Sequence, residues 1–255
     1  MMGGPLYITD VSPRDGLQNQ QIAVSTDAKL QLIRLLVAAG AQEIAVVLSA
    51  TETMNRRNIN MGLDQATEVS EQTLIEARRL GLRTRAYVAV AFDCPFEGPT
   101  PLDAVLQAAQ RMHAAGAGEI VIADTIGAAS PGQVKQRLAA LLQVVPSEHL
   151  GVHFHDTRGM GVANAWAALE AGVRRFDASV GGIGGCPFAP GAAGNVATED
   201  LVLMAGQSGF STGIDLFDLL DAIDFAEQQL QRSLGGRAIT WLRRQREMHT
   251  QASHG

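Results

Sequence analysis

The chain has 255 residues, with 20 Lys and Arg against 26 Asp and Glu for a formal net charge of -6, and no basic block beyond a short RRQR near its end. That balance argues against a nucleic-acid or anionic-membrane partner, and no apolar run is long enough to span a bilayer. MMGGPLYITD lacks a secretory or transit-peptide pattern and two cysteines, Cys94 and Cys186, do not make a disulfide framework, so a cytoplasmic location and a small-molecule partner are expected.

Short apolar runs rich in β-branched residues alternate with stretches of helical period, the pattern of βα units on a parallel sheet. LYITDV (6–11) is the first predicted strand. Its helix starts at STD (25–27), carries Leu30, Ile33, Leu36 and Val37 on one face and stops at Gly40. EIAVVLS (43–49) is the second strand, followed by a helix over about 63–80 that ends at Gly81. LRTRAYVAVAF (82–92) is the third, with Thr100 expected as N-cap and Pro101 as the first residue of a helix closing at Gly116. EIVIAD (119–124) is the fourth, and Ser130 with Pro131 repeats the helix-start signal. LGVHFH (150–155) and RFDASVG (175–181) are the fifth and sixth, and beyond about residue 198 only helices are predicted. Residues 1–255 therefore read as one domain of six βα units with C-terminal helices.

The residues able to do chemistry fall just after the strands: Arg14 and Asp15, Glu52, Asp93, Asp124, His153 and His155, then Cys186 and Asn195. Active sites of α/β barrels lie at the carboxyl ends of the strands, so this distribution points to one shared site in a TIM (β/α)8-type barrel. His153 and His155 alternate with Phe154, which places both imidazoles on one strand face, roughly 7 Å apart along the strand. Such a pair can grip one cation; a hydrogen-bonded structural pair is the alternative.

VSPRDGLQN (11–19), NRRNIN (55–60), CPFEG (94–98), DTIG (124–127), HFHDT (153–157), GGCPFAPGAAGN (184–195) and ATEDL (197–201) together resemble the 3-hydroxy-3-methylglutaryl-CoA lyases, a branch of the metal-dependent lyase and synthase barrels. The cysteine loop is specific to that branch. The resemblance implies that Asp15, His153, His155 and Asn195 bind a divalent cation, a mixed nitrogen and oxygen set suited to Mg2+ or Mn2+ rather than to a closed thiolate zinc site. It also implies an acyl-CoA substrate, a homo-oligomer such as a dimer, Arg14 beside the oxygen of a departing enolate, and an acid/base role for Cys186. A salt bridge to Asp15 or Asp124 is the alternative for Arg14. Asp124 either orients Arg14, acts as a base, or caps the following turn, and Asn195 is equally placed to start a helix. Cys94 is read as structural.

The chain departs from the family in one place. AAGAQEIAVVLSATETMNRRNIN (38–60) passes from the first helix to what resembles the family's fourth strand. Two βα units, on the order of 60 residues, are expected to be absent, and with them the second-strand glutamate of the family, whose place falls near Ala45. The expected fold is thus an incomplete barrel of about six βα units, its gap covered by another subunit or a terminal helix. Three activities are compatible with these features. The first is cleavage of 3-hydroxy-3-methylglutaryl-CoA to acetyl-CoA and acetoacetate. The second is a related lyase or aldolase reaction on another hydroxyacyl-CoA or 2-oxo acid, and the third a catalytically impaired metal-binding relative.

Overall fold

The structure, a computed structural model, describes residues 43–184 and 194–252. Five parallel strands form its sheet: β1 (Glu43–Ser49), β2 (Arg83–Ala89), β5 (Glu119–Asp124), β6 (Leu150–Phe154) and β7 (Arg175–Asp177), in the order β1-β2-β5-β6-β7. A two-residue hairpin, β3 (Asp93–Cys94) with β4 (Gly98–Pro99), lies between β2 and the next helix. Five of the six predicted strands are therefore present; LYITDV and the helix after it lie outside the described residues.

Each crossover between sheet strands carries helix, as parallel neighbours require. In α2 (Leu63–Arg79) the buried residues Ala66, Ser70, Leu74 and Ala77 recur at three- and four-residue intervals, which turns one stripe to the sheet. The chain leaves this helix through Gly81 at φ 75, a left-handed position that glycine adopts without penalty. α3 (Leu102–Ala114) buries Val105, Ala108, Ala109 and Met112 in the same way. Its N-cap is Pro101 rather than Thr100, whose hydroxyl donates to the Val90 carbonyl instead. α4 (Pro131–Leu141) starts at Ser130 and Pro131 as its sequence predicts, where the structure adds a capping box between Ser130 and Gln133, and α5 (Gly161–Glu170) follows β6. A short helix over Glu52–Ile59, α1, was not expected from the pattern.

One face of the sheet presents Leu48, Val88, Ile120, Ile122, Val152 and Phe154 to these helices, and together they form the main core. Burying one such side chain contributes about 1.5–3 kcal/mol. The other face is different in kind, because it carries Arg85, Tyr87, Glu119, His153 and Asp177. Although β5 and β6 separate β2 from β7, the Tyr87 hydroxyl lies 2.7 Å from Asp177 Oδ2. In a flat sheet these strands would stand about 14 Å apart. The sheet is therefore rolled, with the polar face on the concave side, as in part of a barrel wall.

Three more helices follow among the described residues: α6 (Thr198–Gln207), α7 (Leu216–Leu230) and α8 (Ile239–Ala252). The last two share a separate small core of Leu220, Ile223, Leu234 and Leu242, against which Val180 and Ile183 pack. No helix among the described residues is long and apolar enough to cross a membrane.

Candidate active site

The carboxyl ends of β5 and β6 open onto the concave face. His153 is paired in register with Ala123 on one side and Asp177 on the other. His155 lies one residue beyond the strand rather than on it, in an isolated bridge with Asn195. The backbone explains this placement. Val196 donates to the Phe154 carbonyl and Asp156 to the Gly194 carbonyl, so residues 194–196 lie against the end of β6. The two imidazole centroids are 5.2 Å apart, so the predicted pair stays together although only its first member is in the strand.

Two atoms here are buried without a hydrogen-bond partner among the described residues, His155 Nδ1 and Asn195 Oδ1. The Asn195 amide nitrogen donates to the Ile183 carbonyl at 2.9 Å, which fixes the carboxamide and leaves its oxygen unused. Gly184, at φ 107, allows this approach, since a Cβ there would fall 2.7 Å from the Asn195 amide nitrogen. Burial, reinforced by the neighbouring His153, pushes His155 down to about 4, so it is neutral near pH 7 and keeps a lone pair to offer. An uncommitted imidazole nitrogen and an uncommitted amide oxygen on adjoining residues are the donor set a hard divalent cation takes. Among the described residues no three His, Cys, Asp or Glu side chains gather around one ion position. Asp15, the carboxylate expected to complete the set, lies outside them, as do Arg14 and Cys186.

Asp124 ends β5 with 1% of its surface exposed. Its two oxygens accept the Ala128 and Ala129 amides at 2.8 and 3.0 Å, which is the turn-capping arrangement. Burial raises its carboxyl above the ordinary range despite those two bonds. Gly127 in this turn, at φ 64, packs so closely that a Cβ would lie 2.7 Å from Thr157, so the DTIG and HFHDT segments meet. Asp156, which follows the histidines, accepts the Gly161 amide at the start of α5 and pairs with Arg237 at 3.3 Å. Glu52 is likewise structural, accepting the Leu63 amide and pairing with Arg56. Val90, just past β2, holds φ 49, strained for a β-branched residue. Its amide donates to Thr125 and its carbonyl accepts Thr100, and these two bonds hold it there.

Sequence reading missed the residues beneath the histidines. Asp177 accepts Arg85 Nη2 at 2.7 Å and the Tyr87 hydroxyl at 2.7 Å, and its Oδ2 lies 3.3 Å from His153 Nδ1. Glu119 accepts Arg85 at 3.0 Å, and Gly151 leaves room for it, because a Cβ there would lie 2.5 Å from Glu119 Oε1. Burial alone would raise the Asp177 carboxyl; the hydrogen bond from His153 and the charge and hydrogen bonds of Arg85 and Tyr87 outweigh it and hold the group at about 2. The available signal was RTRAYVA, in which Arg83, Arg85 and Tyr87 recur every second residue where a buried parallel strand should be apolar throughout.

Residues 37–225 match the HMGL-like family. The chain is 37% identical to the cytoplasmic 3-hydroxy-3-methylglutaryl-CoA lyase of Danio rerio over 283 aligned residues, covering 89% of this chain and 84% of that protein. Its fold is similar to that of a hydroxymethylglutaryl-CoA lyase from Pseudomonas aeruginosa (TM-score 0.79, 29% identity, 91% of this chain and 95% of that one). It is also similar to an HMG-CoA lyase from Acenitobacter baumannii in complex with coenzyme A and 3-methylmalate (TM-score 0.76, 33% identity, 90% and 92%).

Proposed function

The chain belongs to the HMGL-like family of lyases, and on that premise we propose that it cleaves a carbon–carbon bond of 3-hydroxy-3-methylglutaryl-CoA, giving acetyl-CoA and acetoacetate, with Mg2+ or Mn2+ as cofactor. The observation that carries the cation is the pair of unpartnered buried atoms, His155 Nδ1 and Asn195 Oδ1, beside His153. The coenzyme A present in the Acenitobacter baumannii lyase structure supports an acyl-CoA substrate.

His153, His155 and Asn195 would hold the cation together with Asp15, and it would supply a Lewis acid for the substrate's tertiary hydroxyl and neighbouring carbonyl oxygen. Arg14 is assigned to the oxygen of the departing acetyl-CoA enolate, where a fixed cation stabilises charge as it develops. Cys186 is assigned the proton that the enolate carbon takes up. Asp124 is assigned an orienting role toward Arg14 through the lone pairs that its two turn-capping bonds leave open. The two absent βα units belong to the same reading. The alignment with the Danio rerio lyase is longer than this 255-residue chain, so that protein has residues without a counterpart here. A cytoplasmic location is proposed with it; the curated relatives include both cytoplasmic and mitochondrial lyases.

A coupled assay of acetyl-CoA release tests the reaction. The expected result is release that requires Mn2+ or Mg2+, stops on chelation, and is abolished in Asp15→Asn and His153→Ala. A wild-type rate in His153→Ala at saturating Mn2+ would overturn the cation's role. Absence of acetyl-CoA from this substrate, with turnover of another 3-hydroxyacyl-CoA, would overturn the substrate assignment.

A further inference from the structure

We propose that Asp177 is the positioning residue for His153: it holds the Nδ1–H of that imidazole and so presents Nε2, with its lone pair, to the cation. The inference rests on the cation reading above and adds to it the residues that orient one ligand. Asp177 and His153 stand side by side on adjacent parallel strands, with Oδ2 and Nδ1 3.3 Å apart. Both oxygens of Asp177 already accept from strong donors on a distant strand, Oδ1 from Arg85 and Oδ2 from Tyr87. A carboxylate held by a guanidinium and a phenol can only accept, so the proton of this contact belongs to the histidine. A neutral imidazole with its proton on Nδ1 has its lone pair on Nε2, and a carboxylate behind a metal-binding histidine fixes both tautomer and ring direction. The Tyr87 ring adds a second restraint, standing edge-on to the His153 ring at 80° with centroids 6.2 Å apart.

The two histidines are thus held differently. His153 is clamped by a carboxylate and a phenol ring, whereas His155 Nδ1 has no hydrogen-bond partner among the described residues. Arg85 and Tyr87 reach Asp177 across two intervening strands because the sheet is rolled. The clamp therefore couples the curvature of the barrel wall to the direction of one ligand.

The first test needs no variant. In protein labelled with 15N-histidine and freed of metal, His153, assigned by its loss in His153→Gln, should show the Nδ1–H tautomer; the Nε2–H tautomer would overturn the proposal. The second is a Mn2+ titration followed by electron paramagnetic resonance. Asp177→Asn, whose amide can donate to Nδ1 and reverse the tautomer, should weaken Mn2+ binding by about 10- to 100-fold. Tyr87→Phe, which keeps the ring and the Arg85 contact, should give a smaller loss. Wild-type Mn2+ affinity in Asp177→Asn, with affinity lost in His153→Gln, would overturn the positioning role while leaving the cation site standing. Failure of the wild-type protein to bind Mn2+ would overturn the cation reading instead, and with it the presentation of Nε2 to a cation.

Discussion

Gly236 has no room for a side chain: a Cβ there would lie 2.3 Å from Asp200 Oδ2. Asp200 is buried, and its carboxylate accepts the Arg237 and Ala238 amides at 2.7 and 2.9 Å just before α8 begins. Its neighbour Glu199, fully buried, accepts the Gly236 and Gly181 amides and so ties the start of α8 to the glycine segment that precedes Asn195. The ATEDL segment is accordingly a staple between the C-terminal helices and the site. Hydrogen bonds to charged groups contribute about 1.5–3 kcal/mol, so Gly236→Ala and Asp200→Ala should each destabilise by about 2 kcal/mol. A thermal melt should show a fall of roughly 4–8 °C for a chain of this size; an unchanged midpoint in both variants would remove the staple. At this scale the sequence was informative about the ligand candidates, since His153, His155 and Asn195 do come together. It could not show what lies beneath them. Asp177 is 92 residues from Arg85 in the chain, and no local pattern records so distant a partner.

Between α7 and α8 ion pairs accompany the apolar contacts. Arg243 bridges Asp224 and Glu227, and Arg246 bridges Asp221 and Asp224, with closest approaches of 2.7–2.9 Å. The hydrogen bond from Arg246, then that from Arg243, holds Asp224 below the ordinary carboxylate range against the opposing effect of burial. The Leu234 amide, then Arg243, does the same for Glu227. Because both carboxyls are lowered in the folded state, their contribution is fully present above the unfolded carboxylate pKa and is lost as pH falls through the lowered folded values. The advantage of the wild type over Asp224→Asn in a denaturant midpoint should therefore be constant above about pH 5 and shrink below about pH 4. An advantage that grew on acidification would contradict the assignment. Solvent reaches these side chains, so the effect is at most about 1 kcal/mol and fades in salt. Among the elements, β1, β5 and α4 were legible from period and capping. α1 and the β3–β4 hairpin were not, because helices and hairpins this short carry too few residues to establish a period.

Among the described residues β1 and β7 stand at the two edges of the sheet, each with one neighbour. Its concave face keeps water contact as well, with side-chain exposures of 24% for Arg85, 25% for His153 and 20% for Asp177 where a closed barrel would be packed. A homodimer, as the family resemblance implies, is proposed for the chain. Light scattering should give twice the 27.0 kDa chain mass, and a monomer at working concentration would refute it. What the sequence determined by itself was the alternation of strand and helix and the closeness of His153 and His155 at the end of one strand, because each follows from periodicity and local residue chemistry. What only the tertiary structure decided was the curvature that brings Arg85 and Tyr87 onto Asp177, the separation of His155 from its strand, and the commitment of Asp124 to its turn. Those depend on where distant strands stand relative to one another, which sheet packing sets and no short stretch of sequence specifies.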